Sequence, residues 1–501
     1  MVEQKHIKKL VIVGGGTAGW MAAAVLSRQL KPELYDISVV DSSHISGIGV
    51  GESVVPAVVS FLAGHDFDMA DFIQKTEACY KLGTRFEDWH GDGESYFHPF
   101  GTLGRNLNGY GFFDCWLKAR SGGDQTPLTD YSPAAVMAAN HSFDPAQSLK
   151  PGSPLSGADY ALHLDAGLAQ QYFRQHAEQR GVKRINAHIV HIKKHQDGQI
   201  LSLELNNRHT VEGDFFIDCS GFRGLLIDEA LNSPLQSWKH LLHCDRAIAV
   251  QETSVLEPPL YTTATANEFG WTWKIPLQKR ISHGYVFSSE YCTDEQAKQT
   301  LLKNVDGQTL QEPWIIPFQT GIREQFWSEN CMALGLAGGF LEPLESTAIY
   351  LVTRGIQHLL ELFPDFSEER KSWPSLSAEY NARMRADFEE IRDLIILHYC
   401  ATKRSDTEFW RRCQSSPVPD SLAERIELFS ARGELRITRD GLFRASEWQS
   451  VLVGMGIEPR SWHPFLDMSD FEVIHGMMQA DRDDLDQVVR NLSTNYGTHE
   501  K

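Results

Sequence analysis

A glycine-rich turn near the start of the chain constrains its fold more than any other segment. A short β-branched run, residues 10–13, leads into the turn, and an alanine-rich stretch with apolar residues at helical spacing follows it. Gly14, Gly16 and Gly19 satisfy the GxGxxG spacing, in which glycines permit a tight turn and the close approach of a pyrophosphate to a helix N-terminus. The segment therefore predicts a β–turn–α start to a nucleotide-binding fold.

The next apolar run completes this pattern. Residues 37–41 follow at the distance that a βαβ unit needs and end in Asp41, 22 residues after Gly19, where a carboxylate accepts hydrogen bonds from a ribose. Thr17 and Ala18 lie in the turn and complete the expected cofactor contacts. The motif does not separate FAD from NAD, but a second strand and glycine turn at 214–224 favours FAD.

Composition excludes several classes of protein. The 501 residues suffice for about three structural units or for one large enzyme fold. A formal charge of −19 without any basic run predicts that neither nucleic acid nor a membrane surface is a partner. The eight cysteines show neither a CxxC pair nor a Cys/His spacing, so no metal site is expected. Scattered cysteines and the lack of a signal-peptide pattern predict a cytoplasmic protein.

Helical periodicity predicts a helix over 66–83, with Asp68 as its N-cap, Gly83 as its stop and Lys81 in its last turn. The stretch 84–160 has little periodicity and is expected to form long ordered loops or an insertion. Beyond it the pattern predicts a helix at 165–180. It then predicts strands near 185–193, 199–205 and 209–218, and further strands within 246–290 and 313–318.

The last part of the chain is expected to be largely helical. A long apolar helix is predicted after LEPLEST (341–347), and the sequence beyond Pro374 has mostly helical character. We therefore expect a core at 1–395, with inserted segments that cover the substrate, and a mostly helical region at 396–501 packed on that core.

The most specific motif is WTWKIP, at residues 271–276. Its two indoles stand at positions i and i+2, so on a strand they point to the same face. The motif matches the WxWxIP pattern of the flavin-dependent tryptophan halogenase family. The chain resembles that family in the same order at five further places, GGGTAGW (14–20), GESVVP (51–56), YKLGTRF (80–86), HPFG (98–101) and LEPLEST (341–347).

This resemblance implies both the fold and the reaction. The implied fold is α/β, with an FAD-binding Rossmann-like domain of the monooxygenase type, a mixed sheet and a mostly helical substrate-binding and C-terminal region. The implied reaction uses FADH2 and O2 to oxidise chloride or bromide to hypohalous acid, which halogenates an electron-rich aromatic such as tryptophan or indole. A separate NAD(P)H-dependent flavin reductase would supply the FADH2.

The resemblance also implies catalytic roles. Lys81 matches the family's catalytic lysine, which either donates a hydrogen bond to hypohalous acid or carries the halogen as a haloamine. Glu345 matches the residue that takes the ring proton or stabilises the ring cation, and Glu342 is a rival acid three residues earlier. Main-chain groups of Thr347 and Ala348 would bind the halide at a helix N-terminus.

The remaining implied residues bind the cofactor and the substrate. Gly51, Glu52 and Ser53, in the GESVVP motif, are expected to contact FAD. His98 and Phe100 match a pair that lines the substrate ring. The residues of the WxWxIP motif would keep the organic substrate away from the flavin along the tunnel, namely Trp271, Trp273, Ile275 and Pro276.

Substrate and reaction class have alternatives. Residues 440–456 lack the acidic, tyrosine-rich lid that holds the amino-acid end of tryptophan in the family, so indole and other electron-rich aromatics are equal candidates. The family often has glycine where this chain has Ala348, which leaves both chloride and bromide as candidate halides. A flavin monooxygenase that hydroxylates an aromatic substrate, or a non-catalytic flavin-binding protein, is the alternative function.

Overall fold

The computed structural model describes residues 7–42, 51–148, 150–253, 257–366 and 370–492. Residues 1–6, which bear on the missing signal-peptide pattern, lie outside these ranges.

The strands, in chain order, are β1 (Lys8–Val13), β2 (Tyr35–Asp41), β3 (Gly51–Ser53), β4 (Cys79–Lys81), β5 (Gly83–Glu87), β6 (Ser95–Pro99), β7 (Ala161–Asp165), β8 (Lys183–Asn186), β9 (Ile189–Lys194), β10 (Ile200–Leu205), β11 (Thr210–Glu212), β12 (Phe215–Asp218), β13 (Leu235–Ser237), β14 (Arg246–Thr253), β15 (Thr262–Asn267), β16 (Gly270–Pro276), β17 (Arg280–Phe287), β18 (Trp314–Pro317), β19 (Gly321–Arg323), β20 (Trp327–Ser328), β21 (Cys331–Ala333) and β22 (Gly339–Phe340). The α-helices are α1 (Thr17–Gln29), α2 (Pro56–Gly64), α3 (Met69–Lys75), α4 (Phe112–Ser121), α5 (Pro133–Ala139), α6 (Pro145–Ser148), α7 (Ala166–Gln179), α8 (Asp294–Leu302), α9 (Ala348–Glu361), α10 (Trp373–Cys400), α11 (Glu408–Ser415), α12 (Asp420–Arg432), α13 (Ala445–Gly454) and α14 (Phe471–Arg490).

A largely parallel sheet forms the nucleotide-binding part of the fold. Its strand order is β20-β21-β12-β1-β2-β8, and only the edge pair β20–β21 is antiparallel. The predicted β–turn–α start is confirmed, because β1 lies between β2 and β12 and leads through the glycine turn into α1. Strand β12 is the second predicted strand at 214–224, and its neighbour is β1, so both glycine turns leave the same edge of the sheet.

A second sheet carries the WxWxIP motif. Its order is β18-β14-β17-β16-β15-β5-β6, with β5 and β15 parallel and the other pairs antiparallel. A small antiparallel sheet, β3-β7-β4, lies beside it. The two sheets bring the segments around Lys81, His98 and Trp271 together at one end of the fold, where α9 and α10 pack.

The predicted helix over 66–83 is wrong in its second half. Asp68 does cap a helix, since its side chain accepts from the N–H groups of residues 70 and 71, but α3 ends at Lys75. The chain then turns at Glu77, which has a φ of 51°, and continues as the strand β4 paired with β7. Lys81 is therefore the last residue of a strand. The buried apolar positions near 80 fit a strand as well as a helix, and the pairing with a distant strand decides between them.

The stretch 84–160 is more regular than the sequence indicates. It contains β6, most of β5 and the helices α4, α5 and α6, in place of the long loops that we expected. Helix α5 is buried on nearly all sides, and a helix of that kind shows no amphipathic period. Only the connecting segments between these elements are irregular.

The C-terminal region is helical, as predicted. Helix α10 runs without interruption from Trp373 to Cys400, so the expected division between 395 and 396 falls inside it. Helices α11 to α14 follow, and α13 packs on β6. Within the described ranges, no helix combines the length and the apolar character that crossing a membrane requires.

Candidate active site

The glycine turn after β1 has the geometry of a cofactor cradle. A Cβ at Gly14 would lie 2.2 Å from the backbone oxygen of Cys219, and one at Gly19 would lie 2.0 Å from the backbone oxygen of Gly14, so both positions require glycine. A Cβ at Gly16 would meet no atom of the described chain within 4 Å, so this glycine faces open space. Residues 17 and 18 begin α1, whose N-terminus has no side-chain cap within the described ranges. Open space at an uncapped helix N-terminus suits a pyrophosphate.

Asp41 ends β2 beside this turn. A Cβ at Gly15 would lie 2.3 Å from its Oδ2, which shows how closely the carboxylate approaches the glycines. Its Oδ1 accepts a hydrogen bond of 2.8 Å from Nε of Arg184 on β8. The carboxylate that is predicted to contact the ribose therefore lies beside the glycine turn and is oriented by the Arg184 guanidinium.

Strand β3 connects the cofactor motif GESVVP to the tryptophan strand. The Gly51 N–H donates to Oγ of Ser282 at 3.1 Å, and a Cβ at Gly51 would lie 2.7 Å from the Ser282 Cβ. The Ser53 hydroxyl contacts that of Thr262 at 3.2 Å, while burial raises the pKa of Glu52 to about 7. This segment is held against β15 and β17 and lies under the strand that carries WxWxIP.

Lys81 is completely buried. Its Nζ donates to Oγ of Ser346 at 3.0 Å and lies 5.1 Å from the centre of the Phe100 ring. Burial lowers the pKa of Lys81 to about 7, and the nearby Glu345 offsets part of that effect. A lysine held in this way has a substantial neutral fraction near neutral pH.

Glu345 is buried between two histidines. Its Oε2 lies 3.1 Å from Nδ1 of His98, and its Oε1 lies 2.7 Å from Nε2 of His398. Burial alone would raise the pKa of this carboxyl, but His98 and His398 outweigh that effect and hold it below its usual range. Glu345 is therefore ionised at neutral pH and accepts hydrogen bonds on both oxygens.

The predicted ring-lining pair is adjacent to this carboxylate. The rings of His98 and Phe100 lie 6.4 Å apart, and both side chains are buried. Burial lowers the pKa of His98, but the larger combined effect of Glu345 raises it. Nε2 of His98 has no hydrogen-bond partner among the described residues, so it is free to contact a bound molecule.

The two indoles of β16 face the same side, as predicted. The rings of Trp271 and Trp273 lie 6.2 Å apart, and Trp273 lies on Gly284, where a Cβ would come within 2.0 Å of its ring. Ile275 follows on the same face, and Pro276 ends the strand. Both indoles are buried and adjacent, and we refer to this pair as the tryptophan wall.

Glu342, the rival acid, has different partners from Glu345. Its Oε2 accepts from Nε1 of Trp271 at 3.3 Å and from the hydroxyl of Tyr399 at 3.0 Å. Burial raises the pKa of Glu342 to about 7, and its Oε1 has no partner in the described part of the chain. Glu342 therefore contacts Trp271 of the tryptophan wall. Glu345 instead contacts two histidines and opposes the effect of burial that lowers the pKa of Lys81.

The predicted halide residues begin α9. Thr347 is the N-cap of this helix and Ala348 is its first residue, and no side chain among the described residues caps it. The preceding Ser346 has a φ of 59°, which turns the chain sharply between Glu345 and the helix. The free N–H groups at the start of a helix of this length attract anions.

Sequence reasoning missed three residues of this site. His398 contacts Glu345, the hydroxyl of Tyr96 lies 2.6 Å from Nδ1 of His398, and Ser346 accepts from Lys81. Ser346 lies inside LEPLEST and could have been noticed there. His398 and Tyr96 lie in no motif that we recognised, and only tertiary contact identifies them. No group of His, Cys, Asp and Glu within the described residues is arranged to hold a metal ion.

Solved structures with this fold identify the class. BrvH, a flavin-dependent halogenase from Brevundimonas sp. BAL3, is 40% identical, with a TM-score of 0.92 and coverage of 98% of each chain. The tryptophan 6-halogenase SttH from Streptomyces toxytricini is 32% identical, with a TM-score of 0.88, over 98% of this chain and 99% of that one. The fold is that of the flavin-dependent halogenases.

The sequence comparisons define the family. A family model described as tryptophan halogenase matches residues 9–470. The tryptophan 7-halogenase RebH from Lentzea aerocolonigenes is 31% identical, over 92% of this chain and 92% of that protein. The chain belongs to the tryptophan halogenase family.

Proposed function

We propose that this protein is an FADH2-dependent halogenase that acts on an electron-rich aromatic, such as tryptophan or indole, with Lys81 and Glu345 as catalytic residues. One observation carries the proposal. A fully buried lysine, an ionised buried glutamate and an uncapped helix N-terminus are joined through three consecutive residues, Glu345, Ser346 and Thr347. A separate NAD(P)H-dependent reductase supplies the FADH2.

The glycine turn and the N-terminus of α1 hold FAD, with Gly16, Thr17 and Ala18 at the pyrophosphate and Asp41 at the ribose. Strand β3 contributes Gly51, Glu52 and Ser53 to the same site. When bound, reduced FAD supplies with O2 the oxidising equivalents that convert halide into hypohalous acid. The N–H groups at Thr347 and Ala348 hold the halide.

Lys81 receives the hypohalous acid beyond the tryptophan wall. The neutral amine attacks the halogen, so the N–halogen bond forms, the halogen–oxygen bond breaks, and the amine proton leaves with hydroxide as water. A π electron pair of the aromatic ring then forms the C–halogen bond, and the N–halogen bond breaks with its pair left on nitrogen. The nitrogen takes up one proton, which balances the ring proton that passes to Glu345. Low solvent access around Lys81 keeps the reactive halogen from other acceptors.

Glu345 completes the substitution. The C–H bond at the halogenated carbon breaks, its electron pair restores the aromatic ring, and the proton passes to the carboxylate. A weakly basic carboxylate suffices because the ring cation is a strong acid. Its negative charge also stabilises that cation before the proton leaves.

The substrate lies against His98 and Phe100. The tryptophan wall separates it from the flavin and lets only small molecules pass. A panel of tryptophan, indole and larger indoles, incubated with FAD, NADH, a flavin reductase and either chloride or bromide, tests the function by mass spectrometry. Halogenated product with its isotope pattern supports the proposal, and hydroxylated product, or none from the whole panel, contradicts it.

We expect the coupling of flavin oxidation to product to depend on pH. Burial lowers the pKa of Lys81 to about 7, so the amine is neutral above that pH and protonated below it. The ratio of halogenated product to oxidised flavin should therefore rise between about pH 6 and about pH 8. The measurement is that ratio at each pH. A ratio that falls with rising pH would show instead that the ammonium form donates a hydrogen bond to hypohalous acid.

Two glycine variants test the cofactor site. Gly14→Ala places a Cβ against the Cys219 carbonyl at a φ of 113°, with a strain of about 1–3 kcal/mol, so we expect a lower melting temperature and weaker FAD binding. Gly16→Ala adds a methyl group that meets no described atom, so the melting temperature should hold while FAD affinity falls about tenfold. Thermal unfolding without flavin and a fluorescence titration with FAD measure the two effects. Unchanged FAD affinity in Gly16→Ala would place the cofactor elsewhere.

A further inference from the structure

A chain of hydrogen bonds extends from Glu345 away from the lysine. Oε1 of Glu345 lies 2.7 Å from Nε2 of His398, and Nδ1 of His398 lies 2.6 Å from the hydroxyl of Tyr96. The imidazole of His398 is completely buried and stacks on Phe86, with ring centres 4.5 Å apart. Tyr96 also stacks on Phe86, at 4.9 Å. The three rings fix each other in place.

The contacts assign the protons in this chain. An ionised carboxylate only accepts, so Nε2 of His398 must carry the hydrogen that Glu345 receives. Burial lowers the pKa of His398, although Glu345 partly opposes this, so the ring is neutral and its Nδ1 has no proton. The pKa of Tyr96 lies well above its usual value because of burial and Glu345, so its hydroxyl stays protonated and donates to Nδ1. One arrangement satisfies all three groups.

We propose that His398 and Tyr96 are positioning residues for the proposed halogenation, on which this inference rests: Tyr96 donates to Nδ1 of His398 and fixes the orientation of its ring, and His398 holds Glu345 as an oriented, ionised acceptor for the ring proton. His98 holds the other oxygen of the carboxylate, so Glu345 is fixed from two elements, β6 and α10. A carboxylate held on both oxygens cannot rotate away from the substrate.

Without the Tyr96 hydroxyl, Nδ1 of His398 has no donor. The buried lone pair of Nδ1 is then unpaired, and the imidazole can rotate away from the position in which its Nε2–H points at Glu345. The carboxylate loses one hydrogen bond and moves from its position, so removal of the ring proton becomes slow enough to limit the reaction. A structural defect elsewhere would lower the rate without making this one step limiting.

The first experiment measures the tautomer and needs no activity. NMR spectra of the protein with ¹⁵N-labelled histidine report which ring nitrogens carry protons, and the signal missing from His398→Gln identifies residue 398. We expect a bare Nδ1 and a protonated Nε2 in the wild type, and a shift of the Nδ1 signal in Tyr96→Phe, because that nitrogen has lost its hydrogen bond. A protonated Nδ1 in the wild type, or an unchanged spectrum in Tyr96→Phe, would overturn the proposal.

The second experiment measures the deuterium isotope effect on kcat for bromination of indole, with indole and ring-deuterated indole assayed in separate reactions. We expect a value near one for the wild type and a value of about two or more for Tyr96→Phe and His398→Phe, with turnover reduced up to about 10²-fold. His398→Gln retains an N–H donor for Glu345 and should return towards one. Tyr285→Phe is the matched control. It also removes a buried hydroxyl, but that hydroxyl accepts a hydrogen bond from the Phe269 N–H in a separate hydrophobic cluster.

The two proposals fail in different ways. A reduced rate with an isotope effect that stays near one in both Tyr96→Phe and His398→Phe would show that these residues are only structural, and would leave the halogenase function intact. A wild-type protein that halogenates no substrate would refute the proposed function, while the tautomer measurement still decides the hydrogen-bond assignment.

Discussion

Lys81→Ala should abolish halogenated product, by at least about 10³-fold, while the protein still binds FAD and oxidises it. The amine is the only group that we propose to carry halogen to the ring, and it lies beside Phe100, which we propose to line the substrate. Flavin oxidation does not use it. The measurement compares halogenated product by mass spectrometry with FADH2 oxidation by absorbance in the same reaction, and hypohalous acid released to solution should appear in a trapping assay.

Two further variants separate chemistry from folding. Lys81→Met retains most of the buried volume, so a loss of product in both variants excludes a simple cavity effect. Lys75→Ala removes an exposed lysine of α3 that pairs with Asp71 and should behave as the wild type. Product retained in Lys81→Ala and Lys81→Met would end the assignment of Lys81.

Glu345→Gln should slow product formation by about 10²–10⁴-fold, which is the usual contribution of a general base. The amide can still accept a hydrogen bond from His98 or His398, but it has no negative charge for the ring cation and cannot accept the proton. Flavin oxidation should continue near its normal rate. The rate of halogenated product over a range of indole concentrations measures the effect, which should appear in kcat.

Glu342→Gln makes the same substitution three residues earlier and is the matched control. Glu342 binds Trp271 and Tyr399, so its loss should affect the coupling of flavin oxidation to product and reduce the product rate by less than about tenfold. A larger loss of product rate in Glu342→Gln than in Glu345→Gln would make Glu342 the base.

Local patterns were enough to predict the cofactor part of the fold. The strand, glycine turn and helix at 10–30 depend on residues that are neighbours in the chain, and the structure has them where the pattern predicts. The pair Trp271 and Trp273 shares a face because strand geometry alone requires it. The helix after LEPLEST also follows from its own periodicity.

Long-range contacts decide what the sequence did not reveal. Lys81 lies in a strand because residues 79–81 pair with β7, about 80 positions away, and no local pattern contains that information. His398 reaches Glu345 across 53 positions and Tyr96 across 302, so the second partner of the carboxylate appears only in the folded chain. The candidate catalytic residues were predicted by resemblance, and their charges and orientation required the structure.

The left-handed turn at Ser346 fixes the distance between Glu345 and the N-terminus of α9. In the proposed reaction Glu345, before the turn, accepts the ring proton and Thr347, after it, binds the halide, so one residue separates the two groups. The walls of the substrate cavity can change shape with new side chains. One residue inserted into this tripeptide would rotate the proton acceptor out of reach of the ring, so changes in substrate range must leave its length unaltered.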